Sequence, residues 1–183
     1  MAAPSCCARH SGSEVALRRA IAVFSLAAAL AAAWGARAQV SEAELKAAFV
    51  YNFALFTEWP QDVLTDGQSL LVCATPDDGQ LDALRRLQGR TVAGHTIAVS
   101  TAVGDAGRCH VVLYDPDARI PPATDVTAGA LTVCDGPRNA CADAVITLLR
   151  EGDRIRFDVD AGRARTQRLS LSSKLLRLAR RVQ

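Results

Sequence analysis

The chain has 183 residues, half of them apolar, 22% charged and only 5% aromatic, with a formal net charge of +2. One domain with a real hydrophobic core fits this length. No long basic run and no basic patch interleaved with aromatics occurs, so binding of nucleic acid has no support.

Residues 1–38 read as a secretory signal peptide. Arg18 and Arg19 form a positive flank, Ala20 to Ala33 are apolar without a charge, and Ala36-Arg37-Ala38 places small residues at the two recognition positions, so cleavage is expected before Gln39. The apolar run of 14 residues is short for a membrane-spanning helix. The twin arginines are also compatible with export of the folded chain. Removing the leader leaves 145 residues with 17 basic and 18 acidic groups, a formal charge of −1.

The next stretch, Ser41 to Pro60, holds Phe49, Phe53, Phe56 and Trp59. At helical spacing Leu45, Ala48, Phe49, Phe53, Phe56 and Trp59 fall on one side, opposite Lys46, Thr57 and Glu58, which predicts the main core helix. Ser41 with Glu44 forms a capping-box signature at its start, and Pro60 marks its end. Asn52 projects into this stripe, where an unpaired amide is costly, so its side chain is expected to bond the backbone of a neighbouring element. Trp59, Phe56 and Asn52 are the candidate partner- or ligand-contact residues.

Ser69 to Ala74 is a short apolar run of the kind buried on both sheet faces; Leu81, Leu84 and Leu87 predict a short helix ending at Gly89; Thr96 to Ser100 and Cys109 to Tyr114 are further strands. A short helix is expected within Ile120 to Gly129 and a strand at Ala130 to Cys134. This alternation argues for βαβ units and a partly parallel sheet. Ala144 to Arg150 and Arg154 to Asp160 then read as a hairpin about Glu151-Gly152-Asp153, with the face carrying Arg156 and Asp158 wet. Leu169 and Leu171 give one more short strand. Ser172-Ser173 caps a final helix with Leu175, Leu178, Ala179 and Val182 on one face. The expected fold is a single α/β domain, a mixed central sheet of about six strands flanked by helices.

Four cysteines follow the leader, Cys73, Cys109, Cys134 and Cys141, and an even number in an exported chain points to two disulfides. Three pairings are open; the sequential one links near neighbours. Their spacing lacks the paired knuckles of a structural zinc site, and Cys134 to Cys141 lacks the C-x-x-C geometry of a thioredoxin-like centre.

Catalytic signals are weak. His95 reads as a surface residue and His110, inside an apolar run, as a satisfied structural imidazole. Asp77-Asp78 and Asp115/Asp117 follow strands, where they serve as ordinary loop and cap residues. No nucleophile elbow, metalloprotease motif or phosphate-cradling glycine loop occurs. The residues point to a non-enzymatic binding domain with no cofactor and no metal.

Three passages together resemble the YfiR family of periplasmic regulators: LKAAFVYNFALFTEWP (Leu45 to Pro60), the step from Cys134 to Cys141, and IRFDVDAGRARTQRLSLSSKLLRLARRV with its L-S-S-K-L-L-R-L-A segment (Leu171 to Ala179). The chain departs from the family pattern at Asp160, where Asn is expected, and before the hairpin, where a glycine-rich run is expected. The resemblance implies a mixed α/β domain that binds the periplasmic part of a membrane-anchored diguanylate cyclase or similar sensor and represses it, controlling cyclic-di-GMP and biofilm formation. It further implies a homodimer, disulfides Cys73–Cys109 and Cys134–Cys141, redox control of the fold, and sequestration by an OmpA-like outer-membrane lipoprotein. The alternative is a periplasmic small-ligand-binding module with the aromatic helix as one wall of its pocket.

Overall fold

The computed structural model describes residues 41–74, 78–101, 109–117 and 129–183. The chain divides into two compact units, Met1–Gln39 and Val40–Gln183. The expected leader, Asp77 and most of the helix expected at Ile120 to Gly129 lie outside the described residues.

The second unit begins with helix α1 (Glu42–Leu55) and strand β1 (Thr57–Glu58), followed by β2 (Leu70–Ala74), α2 (Asp78–Arg85), β3 (Thr91–Val92), β4 (His95–Ser100), β5 (Val111–Tyr114) and β6 (Leu131–Asp135). The hairpin β7 (Ile146–Glu151) and β8 (Arg154–Val159) comes next, then α3 (Ala161–Thr166), β9 (Ser170–Leu171), α4 (Ser173–Leu178) and β10 (Arg181–Val182). Among the described residues eight strands form a mixed sheet in the order β10-β8-β7-β6-β5-β2-β4-β3, and β1 pairs with β9 in a separate two-stranded sheet. The run β7-β6-β5-β2-β4 is parallel throughout, while the β7–β8 and β3–β4 pairs are antiparallel. The α/β class, mixed sheet and single domain agree with expectation; the sheet has eight strands rather than six.

Both added strands are two residues long and lie on the sheet edges. β3 reaches β4 through Ala93 and Gly94, both at positive φ (49° and 89°), a primed-turn geometry that Ala-Gly does not advertise as Asn-Gly would. β10 occupies what reads as the last turn of the final helix. That helix stops at Leu178, because Ala179 is extended (φ −64°, ψ 141°) and the Arg180 amide donates to the Phe157 carbonyl at 2.8 Å, drawing the chain into parallel register with β8. Leu175 is therefore buried at 2% exposure while Leu178 stands 68% exposed. The hairpin turn behaves as expected, with Gly152 at φ 58° in the first central position.

Alternation along the strands divides the core. Leu70, Val72 and Ala74 of β2 join the main cluster, to which each of the four described helices contributes, through Phe53, Leu84, Ala164 and Leu175 among others. Leu71, Cys73 and Val112 belong to a smaller cluster on the opposite face, and Cys134, Cys141 and Ala144 to a third. The two disulfides, Cys73–Cys109 and Cys134–Cys141, thus sit away from α1, and all four cysteines are at most 4% exposed.

His110 links these layers. Its Nδ1 accepts from the Leu71 amide at 2.9 Å and its Nε2 lies 3.2 Å from the Val63 carbonyl, so the ring is satisfied as the neutral Nε2–H tautomer. Burial holds its pKa below the ordinary imidazole range. Protonation favours the unfolded state, so stability is lost as pH falls through about 6.5. Urea midpoints at about pH 7.5 and 5.5 will be lower at the acidic value, and His110→Gln will flatten that slope.

Candidate functional site

The helix that carries the first family-like passage is rotated from its predicted orientation. Ala47, Val50, Phe53 and Ala54 are its buried residues, with Thr57 buried beyond its end. This is a face turned by roughly 140° from the Leu45–Ala48–Phe49–Phe56 stripe. The cause lies on the supposed wet side. Lys46 reaches across to Asp135 at the carboxyl end of β6, Nζ–Oδ2 2.6 Å, while also bridging Glu42 at 2.7 Å. Burial alone would lower the Lys46 pKa, yet its bonds to Asp135 and Glu42 hold it above the ordinary range. Arg150 of β7 adds a second tie to Glu42, and Arg86 beyond α2 pairs with Glu44. Thr57 Oγ1 donates to the Phe53 carbonyl at 2.7 Å, ending the helix before Pro60.

The start is as predicted. Ser41 Oγ accepts from the Glu44 amide at 3.1 Å and the Ser41 amide donates to Glu44 Oε2 at 3.0 Å. Phe49 and Phe53 converge on Phe157 of β8, with ring centroids 6.0 and 5.0 Å away in edge-on geometry. These aromatics fill core rather than line a pocket.

What the rotation leaves outside is a stripe of Leu45 (39% exposed), Ala48, Asn52 and Leu55 (42% exposed). Their spacing of three, four and three positions is that of a helix-pairing seam. Asn52 is exposed, not embedded in the core, and its Nδ2 donates to the Ala48 carbonyl of its own helix at 2.8 Å rather than to a neighbouring element. Among the described residues its Oδ1 and second N–H have no hydrogen-bond partner, and they are the polar groups of an otherwise apolar seam.

Phe56 and Trp59 do not join Asn52 on this stripe. Both are half-buried and pack on the main cluster, and Trp59 Nε1 is buried without a hydrogen-bond partner among the described residues. They lie at a seam joining the first and last family-like passages. Thr57 pairs with Leu171 and Glu58 with Ser170, and the Ser172 amide donates to the Phe56 carbonyl at 2.9 Å.

A charged cluster on the hairpin was not anticipated. Asp158, expected on a wet face, has a side chain only 4% exposed. Arg180 grips it through Nε at 2.9 Å and Nη2 at 2.7 Å, and Arg138 through Nε at 3.1 Å and Nη2 at 2.8 Å. The hydrogen bonds from Arg180, then those from Arg138, hold the Asp158 carboxyl below the usual range. Arg138 sits in the loop closed by Cys134–Cys141 and also donates to Gln183, so this disulfide positions a clamp on the C-terminal strand. Two arginines flanking an aspartate on unconnected elements leave no periodic signal in a sequence.

The other residues that the sequence singled out have local partners. His95 is half-buried with Nδ1 2.9 Å from the Gln68 carbonyl. Asp115 accepts from the Asp117 amide at 2.8 Å, as a loop residue does. Asp160, at the family's Asn position, caps α3 by accepting from the Arg163 amide at 2.7 Å, a role the two residue types fill about equally. A cavity of about 130 Å³ opens at the carboxyl ends of β2, β5 and β6, but Lys46, Gln80, Tyr114, Asp115 and Asp135 line it, not the aromatics of α1. Among the described residues no cluster of His, Cys, Asp and Glu has the arrangement of a metal site, and no helix is long and apolar enough to cross a membrane.

No curated protein sequence matches the chain. A family profile described as YfiR/HmsC-like matches residues 43–180, about three quarters of the length, spanning the α1 signature, both disulfides and the closing α4 block. The chain belongs to the YfiR/HmsC-like family.

Proposed function

We propose that the protein is a non-enzymatic periplasmic regulator that binds and represses a membrane-anchored diguanylate cyclase or a similar envelope signalling protein. The single observation that carries this reading is the exposed seam Leu45, Ala48, Asn52 and Leu55 on the family's signature helix. An apolar stripe held outward by ion pairs on the opposite side of its own helix is a surface built for contact. Family membership supplies the class of partner. Repression follows if the seam makes more contacts with the inactive cyclase than with the active one; equal affinity for both shifts nothing.

On this reading residues 1–38 act as a signal peptide cleaved near Ala38, and the chain works as a homodimer that an OmpA-like outer-membrane lipoprotein sequesters. Asn52 makes direct partner contact, while Phe56 and Trp59 hold the end of the seam in place. The burial of both disulfides means that a reductant reaches them only through local opening, so any redox control acts through fold stability.

The test is cyclic-di-GMP in cells carrying Leu55→Glu. The level rises toward that of a deletion strain, with the variant's abundance and thermal midpoint unchanged because Leu55 is outside the core. Wild-type output at normal abundance would defeat the proposal.

A further inference from the structure

Charge is distributed unevenly along the chain. Residues 150–183 contain ten basic and four acidic groups, whereas the preceding part of the second unit is acidic. On the hairpin the four acids are spoken for or peripheral: Asp158 and Glu151 are both held by Arg180, Asp160 caps α3, and Asp153 lies in the turn.

Six cations of this region are exposed and make no ion pair among the described residues: Arg165, whose Nε donates to the Ala161 carbonyl, and Arg154, Arg156, Lys174, Arg177 and Arg181. Register places three of them together. Arg181 of β10 stands beside Asp158 of β8 in parallel pairing, and Arg156 and Arg154 follow on the same face of β8 at two-residue steps. That face is opposite the one on which Phe157 packs against α1. Lys174 and Arg177 lie on α4, which packs through Leu175 into the main cluster on the Phe157 side and runs through Ala179 and Arg180 into β10 at the sheet edge. Leu178, next to Arg177, is 68% exposed, and Val182, next to Arg181 but on the other face of β10, is 45% exposed. The Asp158 clamp fixes β10 on β8, so the guanidinium groups are carried on a rigid support.

We infer that this α4–β10–β8 surface docks on the anionic headgroups of a phospholipid bilayer. Guanidinium groups pair with phosphate oxygens in a two-pronged fork. An exposed leucine next to the unpaired Arg177 is suited to the headgroup boundary, where a side chain inserts shallowly while its neighbours meet phosphate. This surface is separate from the α1 seam, so the docking holds whether or not that seam binds a cyclase.

Sedimentation with lipid vesicles tests this, using protein recovered from the periplasm of expressing cells. The protein will pellet with vesicles containing phosphatidylglycerol and stay in solution with phosphatidylcholine alone. Raising salt from about 0.05 M to about 0.3 M will release it, as screening shortens the reach of the charges. Arg154→Gln, Arg156→Gln and Arg181→Gln combined will weaken binding about a hundredfold, near fivefold for each charge. Leu178→Ser will weaken it a few-fold without changing the salt slope. Should the triple variant have an altered thermal midpoint, Lys174→Gln with Arg177→Gln, both on the outside of α4, will weaken binding about twentyfold. Equal pelleting with phosphatidylcholine, or wild-type binding by the folded charge variants, would overturn the inference. So would absence of pelleting combined with charge-dependent retention on immobilised polyglutamate, which assigns the surface to an acidic protein.

Discussion

Phe53→Ala will lower the stability of the second unit by about 4 kcal/mol, measured as the urea midpoint at constant m-value. Phe53 is 1% exposed, lies in the main cluster, and meets Phe157 edge-on at 5.0 Å and Phe49 at 5.8 Å. Its loss removes the apolar transfer energy of a ring and two aromatic contacts, and leaves a cavity between α1 and the hairpin that rigid sheet packing closes poorly. The neighbouring Leu55→Ser, two residues along the same helix but 42% exposed, will cost about 0.5 kcal/mol or less. The contrast between the two is the energetic signature of the rotated helix. If Leu55 proves as costly as Phe53, the outward orientation of the seam is wrong.

The second large effect is at the Cys73–Cys109 bridge. It closes a loop of 36 sequence steps, and replacing both cysteines by serine removes a constraint on the unfolded chain worth about 4 kcal/mol in the chain-entropy account. Cys134–Cys141 closes only seven steps, worth about 2.5 kcal/mol on the same basis. The shorter bridge has a second consequence that the longer one lacks: its loop carries Arg138 to the buried Asp158. Replacing Cys134 and Cys141 by serine will therefore raise hydrogen exchange at the Arg180 and Gln183 amides, which bond Phe157 and Val159, whereas replacing Cys73 and Cys109 will not single out that strand. Equal protection of β10 in both variants would show that the loop holds its place without the disulfide.

The parallel strands were legible because they are short apolar runs between turn residues, and β2, β5 and β6 lie within a residue or two of where those runs predict them. The helix starts at Ser41 and Ser172 were legible because a cap is a local hydrogen bond between residues three apart. The face of α1 was not. Apolar residues occur all round this helix, with Val50 and Ala54 on one side and Leu45, Phe49 and Phe56 on another, so periodicity offers two stripes and tertiary contacts choose between them. The choice rests on Lys46 reaching Asp135, a pairing over 89 positions that no local pattern records.

The same reasoning explains the C-terminus. Helical spacing of Leu175, Leu178 and Val182 suggests a helix to the end, and Ser172 starts one. It is interrupted where Arg180 finds Asp158 and the backbone finds the β8 ladder. Long-range ionic pairs to a buried carboxylate outweigh the few tenths of a kcal/mol per residue that helix propensity contributes. Asp158 itself looked like the polar half of an alternating strand. Its burial depends on two arginines from a disulfide-closed loop and the chain end.

The central claim is that the outward seam of α1 is the partner-binding surface, and in-cell photocrosslinking reads it most directly. A photoreactive residue placed at Asn52 will yield a crosslink to a membrane-anchored signalling protein, and one placed at Thr96, exposed on β4, will not. Crosslinking of that protein from Thr96 with none from Asn52 would contradict the account.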